Sequence, residues 1–211
     1  MMTIQYSETT PVDFRTKRAR TLMPIMDVLA TRWSTRSFDP DQDIPKDKLV
    51  AVAEAARWAP STNNNQPWRY IFFDRNNENR TIAEAALAEG NFWAKRAGCL
   101  IAAVHRDSYE KDSEKANPWA ALELGLSLSN LMHQAVAEGL AVHPIAGFDE
   151  KYLIDRLGIP TGYHVPVMVV LGHYKPFSGL KEWQIESEYK VRERKALDSV
   201  ANFAGIFSQN F

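Results

Sequence analysis

Residues 119–138 are the most apolar stretch of the chain, and at helical spacing they are apolar on more than one side. Ala120, Leu124, Leu128 and Leu131 share one side, while Leu126 and Met132 lie elsewhere around the helix. Such a helix has to be covered by a large core or by a second subunit. It is no membrane span: Glu123, Asn130, His133, Gln134 and Glu138 interrupt it, and no run approaches the roughly 18 apolar residues that spanning requires. The material to cover it is short. Four strand-like runs occur at residues 69–73, 99–104, 140–143 and 165–171, and further helical segments at 25–31, 46–58, 81–89 and 149–157. The last opens on an N-cap, Asp149, and stops at Gly158 and Pro160. Four strands are too few for a barrel, and helices do not alternate with them as a doubly wound fold requires. The expected class is α+β, a small sheet covered by helices.

The 211 residues suffice for one domain with a substantial core, and no repeat, low-complexity block or Gly/Ser linker divides them. Residues 1–22 are polar, without the apolar core of a signal peptide, and read as an arm before a single domain at 23–211 in a cytoplasmic protein. Lys and Arg (25) balance Asp and Glu (26), so no global basic field draws nucleic acid or an anionic membrane. The lone cysteine, Cys99, sits in an apolar strand run, where a buried inert thiol is expected. The five histidines have no metal-ligand spacing: His133 falls on the central helix, His143 and His173 near strand ends, His105 and His164 in loops. No metal site and no nucleophilic hydrolase constellation is expected.

Chemistry concentrates in four segments. In Arg32-Trp33-Ser34-Thr35-Arg36-Ser37-Phe38, an extended backbone puts Arg32, Ser34 and Arg36 on one face, two guanidinium forks around a hydroxyl, which suits a phosphate. Its alternative is a solvated connector. In Ala59-Pro60-Ser61-Thr62-Asn63-Asn64-Asn65-Gln66-Pro67-Trp68, prolines bracket amides that can pair with the edge of a heterocycle or, alternatively, cap their own backbone. In His143-Pro144-Ile145-Ala146-Gly147-Phe148-Asp149, Gly147 permits close approach to a flat ligand, or marks a plain strand-to-helix turn. Arg192-Glu193-Arg194-Lys195 is a basic stretch that also fits an exposed surface.

In this order, over residues 25–200, the segments resemble the nitroreductase family of FMN-dependent oxidoreductases. Pro60-Ser61-Thr62-Asn63-Asn64-Asn65-Gln66-Pro67-Trp68 is similar to the family's Pro-Ser-x-x-Asn-x-Gln-Pro-Trp, and Arg194-Lys195-Ala196-Leu197 to its closing Arg-Lys-Pro-Leu. The resemblance implies a mainly antiparallel sheet flanked by helices and an intertwined homodimer, with a C-terminal extension reaching the partner subunit. It implies FMN at the subunit interface, its phosphate on Arg32, Ser34 and Arg36 with Arg192 and Arg194 closing over it. Pro60, Ser61, Thr62 and Asn64 would approach the ring and ribityl chain from the partner subunit, and the backbone of Ala146 and Gly147 would lie near flavin N5. No side chain acts as catalytic acid or base, because the cofactor carries the hydride. Two positions depart from the family: Ala146 stands where Glu is common, and Ala196 where Pro is usual.

The implied activity is a two-step, ping-pong reaction. NADH or NADPH reduces the flavin through N5, then a small electron-poor acceptor such as a nitroaromatic or quinone takes the electrons. The charged, flexible-looking segment 106–118 would cover the substrate side, with Tyr109 and Trp119 as acceptor contacts. Trp33, Trp68 and Phe148 would scaffold the planar cofactor. The alternatives are a reductase specialised for one metabolite and a non-catalytic FMN-binding or storage protein.

Overall fold

The computed structural model describes residues 17–205 and 207, so the expected arm lies outside the described residues except for 17–22. The elements are α1 (Asp27–Thr31), α2 (Lys46–Arg57), β1 (Trp68–Asp74), α3 (Arg80–Ala85), β2 (Cys99–Arg106), β3 (Ser108–Tyr109), β4 (Asp112–Ala116), α4 (Ala120–Ala137), β5 (Ala141–Ile145), α5 (Glu150–Leu157), β6 (Tyr163–Gly172) and α6 (Glu182–Tyr189). Short 3₁₀ stretches occupy Thr62–Asn64, Glu89–Arg96 and Leu197–Ser199. Among the described residues no helix is long and apolar enough to cross a membrane.

The main sheet has the order β1-β2-β6-β5, and every neighbouring pair is antiparallel. Both faces of β2 are covered, which is why its sequence reads as a continuous apolar run. Leu100, Ala102 and Val104 join one core with Phe38, Phe73, Leu153 and Met168. Cys99 and Ile101 join the other with Leu49 and Val52 of α2 and Leu131 and Ala135 of α4. Burial pushes the Cys99 thiol up to about 12, consistent with an inert core sulfur. The edge strands β1 and β5 lie three strand spacings apart, about 14 Å.

Several expectations are corrected. The helix expected at 81–89 ends at Ala85, where the chain turns to pack against the loop after β5 through a Leu87–Phe148 bridge. Segment 106–118 is an ordered hairpin, pinned by Arg69 and Arg106 on Glu110. His105 and His164 are not in loops: they are directly paired residues of β2 and β6, and both meet the Asp107 carboxylate. Among the described residues no group of His, Cys, Asp or Glu is arranged to hold a metal. Trp68 serves the core, packed with Ala59, Ala103 and Leu124.

Candidate functional site

The helix α1 breaks at Arg32, which is extended (φ −62°, ψ 126°). From Ser34 to Ser37 burial alternates as expected, with Thr35 and Ser37 buried and Ser34 and Arg36 half-buried; outside that stretch it does not, because Arg32 and Trp33 are both half-buried and Phe38 is buried next to Ser37. An Arg32 guanidinium nitrogen lies 3.4 Å from Ser34 Oγ. Burial, and then the Arg192 and Arg194 guanidinium groups, depress the Arg32 pKa, so these three cations share one neighbourhood. Arg36 diverges from them, donating to Ser187 Oγ at 3.1 Å and lying 5.3 Å over the Trp183 ring. Arg192 is partly committed to the fold, donating to the carbonyls of Lys17 and Ala30. Among the described residues no carboxylate forms an ion pair with the guanidinium of Arg32, Arg36, Arg192 or Arg194. Desolvated cations gathered without counter-charge are costly, and a dianion in their midst removes the cost.

The segment is fastened to β5. His143 Nδ1–H donates to the Thr35 carbonyl at 2.7 Å, which fixes the tautomer. Burial, opposed by that hydrogen bond and reinforced by Arg36 and Arg32, pushes the imidazole down to about 4. At the end of β5, Ala146 and Gly147 are exposed. The Gly147 carbonyl accepts from Ala88 N–H at 3.1 Å and Asn91 Nδ2 at 2.9 Å. A Cβ at Gly147 would come 2.6 Å from Asn91 Nδ2, so a larger residue would displace the Asn91 amide from the Gly147 carbonyl. Among the described residues the N–H groups of Ala146 and Gly147 meet no acceptor, which leaves two adjacent exposed donors. Asp149 caps α5, accepting from Tyr152 N–H at 2.9 Å.

The amide loop is locally strained. Asn63, Asn64 and Gln66 have φ of 52°, 57° and 48°, three left-handed non-glycine residues in four. They are held from below: the buried Glu123 of α4 accepts from Thr62 N–H at 2.6 Å and from Asn117 Nδ2 at 3.0 Å. Ser61 Oγ accepts from Gln66 N–H, and Gln66 Nε2 donates to Asn64 Oδ1 at 3.0 Å. Pro60, Thr62 and Asn64 are thereby presented outward, Ser61 half-buried beneath them.

Within one chain the structure brings together Arg32, Ser34, Arg192 and Arg194 and ties their segment to the strand carrying Ala146 and Gly147. It does not bring Pro60, Ser61, Thr62 and Asn64 to them: that loop feeds β1, the opposite edge of the sheet. Three features escaped the sequence. Glu188 lies behind the arginine segment; Glu123 supports the amide loop; and a cavity of about 470 Å³, lined by Phe92, Trp93, Arg96, Lys181, Trp183 and Gln184, opens beside Arg36. None of the expected site residues lines that cavity.

The model of the nitroreductase family matches residues 29–173, more than half of the chain. An uncharacterised 15.4 kDa protein of Mycolicibacterium smegmatis is 33% identical over 131 residues, 61% of this chain and 84% of that protein. The oxygen-insensitive NAD(P)H nitroreductase of Salmonella typhimurium is 24% identical over 198 residues, 72% of this chain and 89% of its own. A solved structure described as an oxidoreductase containing FMN superposes with a TM-score of 0.82 at 31% identity, covering 90% of this chain and 96% of the other. With its antiparallel sheet and its ordered set of motifs, the chain belongs to the nitroreductase family.

Proposed function

We propose that the chain is a cytoplasmic, homodimeric FMN oxidoreductase that uses NADH or NADPH to reduce small electron-poor acceptors such as nitroaromatics or quinones. The observation that carries this reading is the arginine cluster: Arg32 and Arg192 are partly desolvated, the exposed Arg194 lies near both, and among the described residues no carboxylate forms an ion pair with any of the three. A phosphate dianion on the Arg32 and Ser34 face supplies the missing charge. Relatives bearing NAD(P)H nitroreductase names and the FMN-containing structural neighbour support the same cofactor and reductant.

Bound FMN supplies the hydride chemistry, accepting from a nicotinamide at N5 and passing electrons to the acceptor. The chain's part is to hold and orient. Arg32 and Ser34 take the phosphate end, with Arg192 and Arg194 closing from the C-terminal segment, while Arg36 stays on Ser187 and Trp183 at its flank. Ala146 and Gly147 offer their free backbone N–H groups to N5. With alanine at position 146, no side chain there could take or supply a proton, so proton exchange at N5 would fall to solvent. Pro60, Ser61, Thr62 and Asn64 belong to the partner's contribution: in a two-fold dimer the β1 edge of one protomer can meet the β5 edge of the other. Tyr109 of the hairpin and Trp119 flank that loop on the acceptor side.

The purified protein is expected to be yellow, or to become yellow with FMN, and to bleach anaerobically with NADH or NADPH. A nitroaromatic or quinone then restores the colour, and initial rates give parallel double-reciprocal lines. A yellow protein that neither nicotinamide bleaches would be a flavin-binding module instead. A colourless protein that takes up no FMN would defeat the proposal.

A further inference from the structure

Behind the arginine segment lies a carboxylate that no sequence motif marks. Glu188, in the last turn of α6, is completely buried. Its Oε1 accepts from Arg36 N–H at 3.0 Å and its Oε2 from the Thr35 hydroxyl at 2.7 Å. Thr35 Oγ in turn accepts from Ser37 N–H at 2.9 Å, and the Thr35 carbonyl accepts from His143. Thr35 is therefore gripped by α6 on one side and β5 on the other. Because side chains alternate along an extended backbone, fixing Thr35 and Ser37 inward turns Ser34 and Arg36 to the other face, where Ser34 meets Arg32 and the Arg36 guanidinium lies along α6 on Ser187 and Trp183.

The grip extends along α6. Lys17 Nζ donates to the carbonyls of Ser187 and Lys190, the second at 2.6 Å, and it lies close enough to Glu188 for mutual electrostatic attraction. Four residues beyond Glu188 comes Arg192, which bonds the carbonyls of Lys17 and Ala30, and then Arg194. Burial pushes the Glu188 carboxyl upward, while two hydrogen bonds, Lys17 and Arg36 favour its ionised form. A buried carboxyl that accepts from both a backbone N–H and a hydroxyl of one segment fixes that segment in a way an apolar residue in its place would not.

We propose that Glu188 is a positioning residue for the phosphate end of the cofactor, holding the Thr35–Arg36 backbone so that Arg32 and Ser34 face the phosphate while α6 delivers Arg192 and Arg194. This rests on the FMN reading above. It makes a prediction whose sign runs against simple Coulomb attraction. Neutralising a carboxylate near a phosphate should tighten phosphate binding if the carboxylate is only a charge; it should loosen binding if the carboxylate sets the geometry.

The test compares FMN with riboflavin, which lacks the phosphate, by fluorescence titration of flavin-free protein. Wild-type chain is compared with Glu188→Gln, which keeps the shape, and Thr35→Val, which removes the hydroxyl that Glu188 holds. Urea midpoints and near-ultraviolet circular dichroism of the flavin-free variants establish that each is folded. We expect the Kd for FMN to rise about tenfold or more in both variants, the loss of at least one charge-assisted hydrogen bond, with the Kd for riboflavin changed by less than about twofold. The double variant should lose little more than either single one, because both break the same contact. Unchanged or tighter FMN binding in Glu188→Gln, or equal weakening of FMN and riboflavin, would overturn the proposal. Wild-type protein that binds riboflavin as tightly as FMN would instead strike the phosphate assignment itself, and the proposal with it.

Discussion

The neutral imidazole of His143 joins the arginine segment to β5, and burial beside Arg36 and Arg32 resists its protonation. Its folded pKa of about 4 lies below the 6.5 of an exposed histidine, so the unfolded chain binds the extra proton first. Stability is lost as pH falls from about 6.5 toward 4, about 2 kcal/mol of it between pH 7 and 5. His105, His133 and His173 are shifted downward as well and add to the same slope. The part due to His143 is isolated by His143→Asn, which keeps a donor near Nδ1 and does not titrate. Urea midpoints at the two pH values should differ less in the variant than in the wild type; an equal difference would mean that His143 is not held neutral. At this scale the closeness of Arg32 to Ser34 and the exposed turn at Gly147 were legible because both are local. Glu188 was not: its partner Thr35 is 153 positions away, and nothing about a lone Glu in a polar stretch announces a buried contact.

Strands β2 and β6 are readable from their apolar runs, but their polar ends are not, which is why the sequence pattern alone puts His105 and His164 in loops. The helix α6 escaped notice for a related reason: its inward residues, Gln184 and Glu188, are polar, so it carries no apolar stripe. The central helix was legible as apolar on more than one side. Leu124, Leu131 and Ala135 fill the core, whereas Leu122 and Leu126 remain 59% and 41% exposed, with Trp119 beside them at 50%. No heavy atom lies within 4 Å of where a Cβ of Gly125 would sit on that face, so a second backbone has room to approach. Replacing both leucines (Leu122→Glu with Leu126→Glu) is expected to yield folded monomers by light scattering, with flavin content falling in parallel. A dimer that survives both changes would place the subunit interface elsewhere.

The whole molecule offers half of its candidate site at each edge of one sheet: cations and free N–H groups at β5, strained amides at β1. The order of motifs along the chain could suggest a shared cofactor, but only the ladder order shows that these halves belong to opposite edge strands of one sheet, the strands being about 14 Å apart. The two-chain site is tested most directly by a mixed dimer. One chain carries Arg32→Ala with Arg194→Ala, the other Thr62→Glu with Asn64→Glu, and two affinity tags isolate the hybrid. Each variant alone should be colourless. The hybrid should regain one FMN for every two chains, because one of its two sites combines an unaltered arginine cluster with an unaltered amide loop. A hybrid as colourless as its parents would contradict a site built across two chains.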